Sequence, residues 1–400
     1  MKRGQFAADG AGAVVLGGDY RGLGIVRSLG RNGVPVCVVR NSGDIQASLS
    51  RYTRESFDLP SGGEGEQMSF LIDLAERRGF DGWALFPTGD ESAAPIARHY
   101  DELATSYLMT IPRWQTFSLG HDKRLTYKLA EELGLEFPRT VAAVARDDIV
   151  GLDLDFPVIL KPAYREETNR LTLDKAWRAN DRSELLRRYD EACALMPGEA
   201  LMIQELIPGG GEAQFSFAAL CVDGRAVASV VAQRVRQHPM DFGRASTYVV
   251  SIDNPEVAER GRCVLERLSL TGLAEVEFKQ DPRSRTLNLL DVNLRVWAWH
   301  TLARRSGIEF SYLLWQVLQG IDVPDLTTPA GIGWMRMSTD FPTAFSEITH
   351  GRLSVRDYLR SFAAPRERAV MAKDDPIPGL FEIPALAYRV TRRIARGERA

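Results

Sequence analysis

In the run DVNLR, Asp291, Asn293 and Arg295 recur at every second position. Side chains alternate across a strand, so these three share one face while Val292 and Leu294 take the other. Upstream, EVEFK supplies Glu277, and the intervening DPRSR reads as the turn of a hairpin. In that hairpin Glu277 falls opposite Asp291, with Cβ atoms roughly 5 Å apart. Opposed carboxylates repel one another unless a cation lies between them, and two carboxylates with an amide oxygen are the hard ligands that Mg²⁺ takes. By the same alternation Leu287 and Leu289 share the face of Asp291, which implies a face that starts buried and ends on a polar ligand. A solvated hairpin with its polar residues outward is the plainer alternative.

A second signal is Lys161, delivered at the end of the apolar run FPVILKP and followed by a proline that stops ordinary pairing. Only seven of the 50 basic residues are lysines, leaving 43 arginines, so each lysine is less readily dismissed as surface filler. A lysine acts as a point charge suited to phosphate. Lys123 and Lys175 are further candidates, each with an ordinary surface lysine as its alternative. The third signal is ALMIQELIPGGGE, a strand that passes through Gln204 and Glu205 into three glycines and then Glu212. A flexible linker with free backbone donors and acceptors can read an adenine edge, and a carboxylate beyond it can accept both ribose hydroxyls. Taken by itself this string is a plain loop.

These residues need elements to carry them. AVVLGG, YRGLGIVRSLGRNG and VPVCVV read as strand, helix and strand of a parallel βαβ unit. WALFPT then leads into GDESAAPIARHYDEL, where Asp90 or Ser92 caps a helix. A second, smaller lobe holds a helix from His121 to Leu133, the strand FPVILKP, LTLDKAW as a strand, DRSELLRRYDEAC as a capped helix, and ALMIQEL. The third block has strands around 213–221 and 225–233, a polar loop RVRQHPMDFGRAST, a helix after Asp253, and the hairpin of Glu277 and Asp291. Trp334, Arg336 and Asp340 alternate in a strand-like way, and the chain ends on a basic amphipathic helix.

Composition sets bounds. A net charge of −3 without a basic block does not favour a nucleic-acid partner. Apolar runs fall short of the roughly 20 residues of a membrane helix, and the first residues are unlike a secretory signal, so the expectation is a cytoplasmic protein without a membrane partner. Four scattered cysteines without CxxC spacing read as reduced thiols.

The order Lys123, Lys161, QELIPGGGE, EVEFK and DVNLR resembles the ATP-grasp superfamily over roughly residues 10–320, and within it the D-aspartate ligase-like carboxylate–amine ligases. The resemblance implies an α/β and α+β ATP-grasp fold: a pre-ATP-grasp α/β lobe over 1–112, a small α+β lobe with linker helix over 113–207, a large α+β lobe with the metal site over 208–325, and a C-terminal extension over 326–400. It implies ATP with Mg²⁺, or Mn²⁺, and a small-molecule carboxylate and amine joined through an acyl phosphate, with a homodimer as a possible assembly. Lys123 and Lys161 are similar to nucleotide-binding lysines, and Lys175 to a phosphate contact. Glu205 corresponds to the adenine linker and Glu212 to the ribose acid. Glu277, Asp291 and Asn293 resemble metal ligands, and Arg295 the arginine that steadies the transferring phosphate or the tetrahedral intermediate. The chain departs from the pattern with Asp291 in place of the usual Glu, Leu294 in place of a common Pro, and AYREETNRLTLD in place of a Gly-rich phosphate loop.

Substrate contacts are sought in Gly17, Gly18, Asp19, Arg21, Asp90 and Glu91, each equally readable as a helix-start device. Trp297, Trp299 and His300 suggest a pocket wall or core packing, and Arg234, Arg236, His238 and Tyr248 a lid or mere surface. A nucleotide-binding sensor or scaffold without turnover is the rival reading. A nicotinamide oxidoreductase is weaker, because Gly17, Gly22 and Gly24 lack the GxGxxG spacing.

Overall fold

Strands with no polar residue on either face need cover on both sides. That is the situation of Ala13–Leu16 (β1), of Val36–Arg40 (β2) up to its last residue and of Trp83–Pro87 (β4), which join Thr53–Asp58 (β3) and Tyr107–Met109 (β5) in a parallel sheet of order β3-β2-β1-β4-β5. This is seen in a computed structural model whose described residues are 11–382 except 42, 143–144, 166–168, 239, 241–244 and 363–365. The helix Tyr20–Arg31 starts on Asp19, whose carboxylate accepts from the Arg21 and Gly22 amides. The helix Asp90–Arg98 starts on Gly89 instead of the expected Asp90 or Ser92. Ser92 Oγ accepts from the Thr88 amide, leaving the Asp90 carboxylate free to act elsewhere.

The small lobe is a four-stranded antiparallel sheet of Thr140–Ala142 (β6), Val158–Pro162 (β7), Trp177–Ala179 (β8) and Leu201–Glu205 (β9), in the order β6-β9-β7-β8. It has a core of its own, built on Val158, Leu160, Trp177, Leu185 and Ile203. Here the strand expected over LTLDKAW is corrected. Arg170–Asp174 is a helical turn capped by Asn169, whose side chain accepts from the Thr172 amide, and the strand begins only at Trp177. Lys175 closes that turn with φ of 68°, between helix and strand.

The large sheet runs Leu287–Asn293 (β14), Gly272–Gln280 (β13), Gln214–Val222 (β10), Arg225–His238 (β11) and Ala245–Ser251 (β12). It continues past residue 325 through Gly333–Met335 (β16) and Arg366–Arg368 (β17), while Leu326–Thr327 (β15) pairs with β11. Asp340 does not extend the alternation of Trp334, because Met337–Thr349 is a helix and Asp340 is buried inside it. One core joins Val14, Leu16 and Phe117 to Phe217, Val264, Val276 and Phe278, and another joins Leu23 and Phe86 to Ala218, Trp297 and Phe310. The first lobe and the large sheet are thus packed as one body, and the small lobe keeps a separate core. The C-terminal part of the expected basic helix, from residue 383, lies outside the described residues.

Candidate active site

The hairpin β13–β14 has the register that alternation predicts: Glu277 pairs with Asp291 and Glu275 with Asn293. Below Glu277 the register shifts, so that Phe278 pairs with Leu289 and Leu290 is the extra residue. A bulge of one residue reverses the facing of everything beyond it. Leu287 and Leu289 therefore join the core beside Phe278, on the face opposite Asp291. This overturns the expectation that they share the face of Asp291, and Leu290 takes their place at the cleft.

Two joined cavities meet at this hairpin. The larger, of about 600 Å³, lies between the small lobe and the large sheet and is bordered by Lys123, Lys161, Lys175, Glu205 to Gly210, Glu277 and Asp291. Its size is that of a small-molecule pocket. The smaller, of about 230 Å³, opens toward the first lobe and is bordered by Arg21, Asp90, Glu91, Asn293 and Arg295. Lys123, Arg165, Lys175, Arg234, Glu277 and Asp291 border both. Residues from three sheets, far apart in sequence, are thus brought to one cleft.

Lys123 opens the helix Lys123–Glu132 behind its cap Asp122, and its ammonium lies 2.6 Å from Asp291. Burial opposes charge on both groups, yet their attraction prevails: Lys123 is raised above the ordinary lysine range and Asp291 lowered. One turn later on the same helix, Tyr127 is a hub. Its hydroxyl accepts from Lys161 Nζ at 3.0 Å and Gln204 Nε2 at 2.9 Å, and donates to the Leu290 carbonyl at 3.3 Å. Burial, reinforced by Lys123, pushes the Lys161 ammonium well below its ordinary range. Burial, with Arg165 and Arg234 nearby, brings Lys175 down to about 7. Lysines depressed in this way gain from an anion that restores their charge.

Glu205 borders the cleft and pairs with Arg283 at 3.1 Å. Lys279 donates to the carbonyls of Ile207 and Gly209, tying the linker to the large sheet. Glu212 is placed differently: it is exposed, accepts from the Gly210 amide at 2.9 Å, and does not border either cavity.

Arg295 is gripped by Asp90 through two bonds of 2.6 and 2.8 Å and donates to Asn293 Oδ1 at 3.1 Å. Asn293 Nδ2 donates in turn to Glu275 Oε2 and Glu277 Oε1. Glu275, passed over in the sequence, is buried and also accepts from Trp299 Nε1 at 3.0 Å. Burial and the neighbouring Glu277 raise it to about 8. Arg234 pairs with Glu277 at 2.9 Å. Trp297 and His300 are core residues, and Trp299 alone of the three borders the cleft. Of the four named residues of the suggested lid only Arg234 borders it, and Gln237, Met240 and Ser246 of the same segment border it too. Arg236 is buried against Asp340 with Tyr248 over its guanidinium, and His238 bonds Thr343. Part of that segment, 239 and 241–244, lies outside the described residues.

Among the described residues no three His, Cys, Asp or Glu side chains converge as a metal cage. The donors available are Glu277 and Asp291 with the Asn293 amide. They fit a hard divalent cation, because two of the three groups are carboxylates and all the donor atoms are oxygens.

No family model matches the chain. The D-aspartate ligase of Enterococcus faecium (strain Aus0004) is 24% identical over 303 residues, spanning 70% of this chain and 70% of that protein. Among solved structures, an L-amino acid ligase from Bacillus licheniformis is similar with a TM-score of 0.60 at 16% identity, covering 77% of this chain and 74% of its own. An N5-carboxyaminoimidazole synthetase from Staphylococcus aureus aligns with a TM-score of 0.62 at 14% identity, over 85% of this chain and 86% of its own. With this sheet topology, this order of site residues and these relatives, the chain has an ATP-grasp fold and is similar to ATP-dependent carboxylate–amine ligases.

Proposed function

We propose that the chain binds ATP in the larger cavity and uses it to join a small carboxylate to an amine, both held in the smaller cavity. The observation that carries this reading is the meeting of the two cavities at Lys123, Lys175, Arg234, Glu277 and Asp291, where a terminal phosphoryl group can pass from one to the other. Lys161 and Lys175 meet the phosphates, and the segment from Glu205 to Gly210 offers backbone groups to the base. A divalent cation held by Glu277, Asp291 and Asn293 would supply neutralisation of phosphate charge. Phosphoryl transfer needs positioning and electrostatic stabilisation more than covalent help from the protein.

The substrate carboxylate takes the γ-phosphoryl group and ADP forms. The amine then attacks the acyl carbon, and phosphate departs as the C–N bond closes. Arg295 supports the oxygen that carries charge in that step. Arg21, Asp90, Glu91 and Arg295 give the smaller cavity groups of both signs, which suits zwitterionic amino acids, the substrate class for which two of the relatives are named. No described helix is long and apolar enough to cross a membrane. A cytoplasmic location and a homodimer belong to this proposal.

The test is phosphate release from ATP and Mg²⁺ across a panel of amino acids and small carboxylates, for the wild type and Asp291→Ala. Release that needs a particular acid and amine, and is lost in the variant, supports the ligase. Nucleotide binding without release for any combination favours the non-catalytic sensor.

A further inference from the structure

Each oxygen donor suited to a divalent ion already has a cationic partner within the chain. Lys123 stands 2.6 Å from Asp291, Arg234 stands 2.9 Å from Glu277, and Arg295 Nη2 lies 3.1 Å from Asn293 Oδ1. The Lys123 and Arg234 side chains are only 18% and 12% exposed, so these are pairs that solvent screens poorly. Both residues also border the larger cavity, beside Lys161 and Lys175. They have the metal donors on one side and the nucleotide-sized space on the other.

A divalent ion entering alone must take both carboxylates from these cations. It would strand Lys123 and Arg234, mostly buried, in a region already holding Lys161, Lys175 and Arg165. Removing one partner of a buried pair is costly because the other charge is left uncompensated. A polyphosphate changes this, since it gives both cations charge-assisted anionic partners as they leave the carboxylates.

We propose that Arg234 is a phosphate ligand held in reserve on Glu277, and that with Lys123 on Asp291 it bars divalent ions from the free protein, so that metal and nucleotide enter together. This rests on the ATP-dependent reading above and adds a rule of entry to it. The coupling is reciprocal: whatever nucleotide does for metal affinity, metal does for nucleotide affinity.

The test uses Mn²⁺ alone, with the free ion counted by electron paramagnetic resonance and folding checked by circular dichroism. Wild type binds Mn²⁺ weakly without nucleotide. Arg234→Gln binds it at least about tenfold more tightly, within the ordinary range of site–site coupling. Arg234→Lys keeps the weak binding because it keeps the charge. Should Arg234→Gln fail to fold, Lys123→Met opens the other carboxylate and carries the same expectation. Equal or weaker Mn²⁺ binding in the folded charge-removed variant overturns the proposal. Calorimetry of Mg·ADP binding to wild type separates the two ideas. Loss of nucleotide binding itself overturns the ligase reading, whereas intact binding with unchanged Mn²⁺ affinity in the variant overturns the entry rule only.

Discussion

Asp90 holds Arg295 from across the boundary between the first lobe and the large sheet, through paired bonds of 2.6 and 2.8 Å. Asp90 is the first residue of its helix, where backbone amides favour a negative charge. Burial opposes its ionisation, but the Arg295 guanidinium outweighs this and holds the carboxyl well below the usual range. Arg295 also donates to Asn293 Oδ1 and to its neighbour's carbonyl at Val296. A guanidinium has five N–H groups, so these four bonds fix its plane and leave one donor for the cleft. Its orientation is therefore set by residues of two lobes and not by the β14 strand alone.

Asp90→Ala is expected to lower kcat by about 10- to 100-fold, the range that misplacing a reacting group by an ångström produces. The KM for ATP should stay nearly constant, since the nucleotide cavity is bordered by other residues. Asp90→Glu, which keeps the charge, should recover part of the loss. Steady-state kinetics with each substrate varied is the check. A collapse of ATP affinity in parallel with kcat would mean that Asp90 acts on the whole lobe and not through Arg295.

Nucleotide affinity should fall as pH rises through about 7, the value to which burial, with Arg165 and Arg234, lowers Lys175 in the free protein. A bound phosphate favours the ammonium, so the bound-state pKa is higher. Between the two values binding takes up a proton, and affinity falls by up to about tenfold per pH unit. Below about 7 this group contributes no slope. The sign for stability is opposite: the unfolded chain binds more protons above about 7, so the free protein gains stability as pH rises toward the ordinary lysine value. Calorimetry in buffers of different ionisation enthalpy reports the proton uptake, which Lys175→Met should abolish.

What was legible in the sequence is what local periodicity determines. Pairing of Glu277 with Asp291 follows from alternation and a recognisable turn. The bulge at Leu290 has no such signature, so Leu287 and Leu289 were placed on the wrong face. LTLDKAW alternates like a strand, but Asn169 caps a helical turn over its first half, a local hydrogen bond that outranks the pattern. The alternation of Trp334 likewise ends with β16, and Asp340 lies beyond it in the helix Met337–Thr349. Glu275 lies two residues before Glu277, so the alternation rule already put it on the site face. Its depth under Trp299 is a tertiary fact. Tyr127 was also accessible in principle, at one helical turn from Lys123. Arg234 stands out in the sequence only within a candidate lid, and nothing there marks it as the partner of Glu277, because arginine is the chain's common cation.

Gly120→Ala tests how closely the helix Trp114–His121 presses on β14. A Cβ at Gly120 would fall on the carbonyl oxygen of Val292 and lie 3.2 Å from Leu294 Cγ. The backbone cannot yield there without shifting Asp291 and Asn293 on either side of Val292. A loss of about 1–3 kcal/mol of stability is expected, as for other overpacked sites. Activity should drop further than the folded fraction accounts for. Denaturant titration beside kcat, measured where the variant is fully folded, separates the two effects. Unimpaired turnover in folded Gly120→Ala would show that the strand can move without harm.

Arg236 and Asp340 make the firmest prediction about the fold. Their side chains are 6% and 0% exposed and are joined by bonds of 2.8 and 3.0 Å. Thr247 and Ser361 complete the network, and the rings of Tyr248 and Tyr358 flank the guanidinium. This pair fixes the helix Met337–Thr349 to the end of β11, two residues beyond Arg234. Asp340→Leu leaves Arg236 charged and buried, and should cost about 3–5 kcal/mol, whereas Arg236→Met with Asp340→Leu should recover most of that loss. Urea unfolding of both single variants and the double variant gives the coupling directly. If the double variant is as unstable as the sum of the singles, the pair contributes by its packing alone, and the position of Arg234 must be secured by the β11–β12 pairing instead.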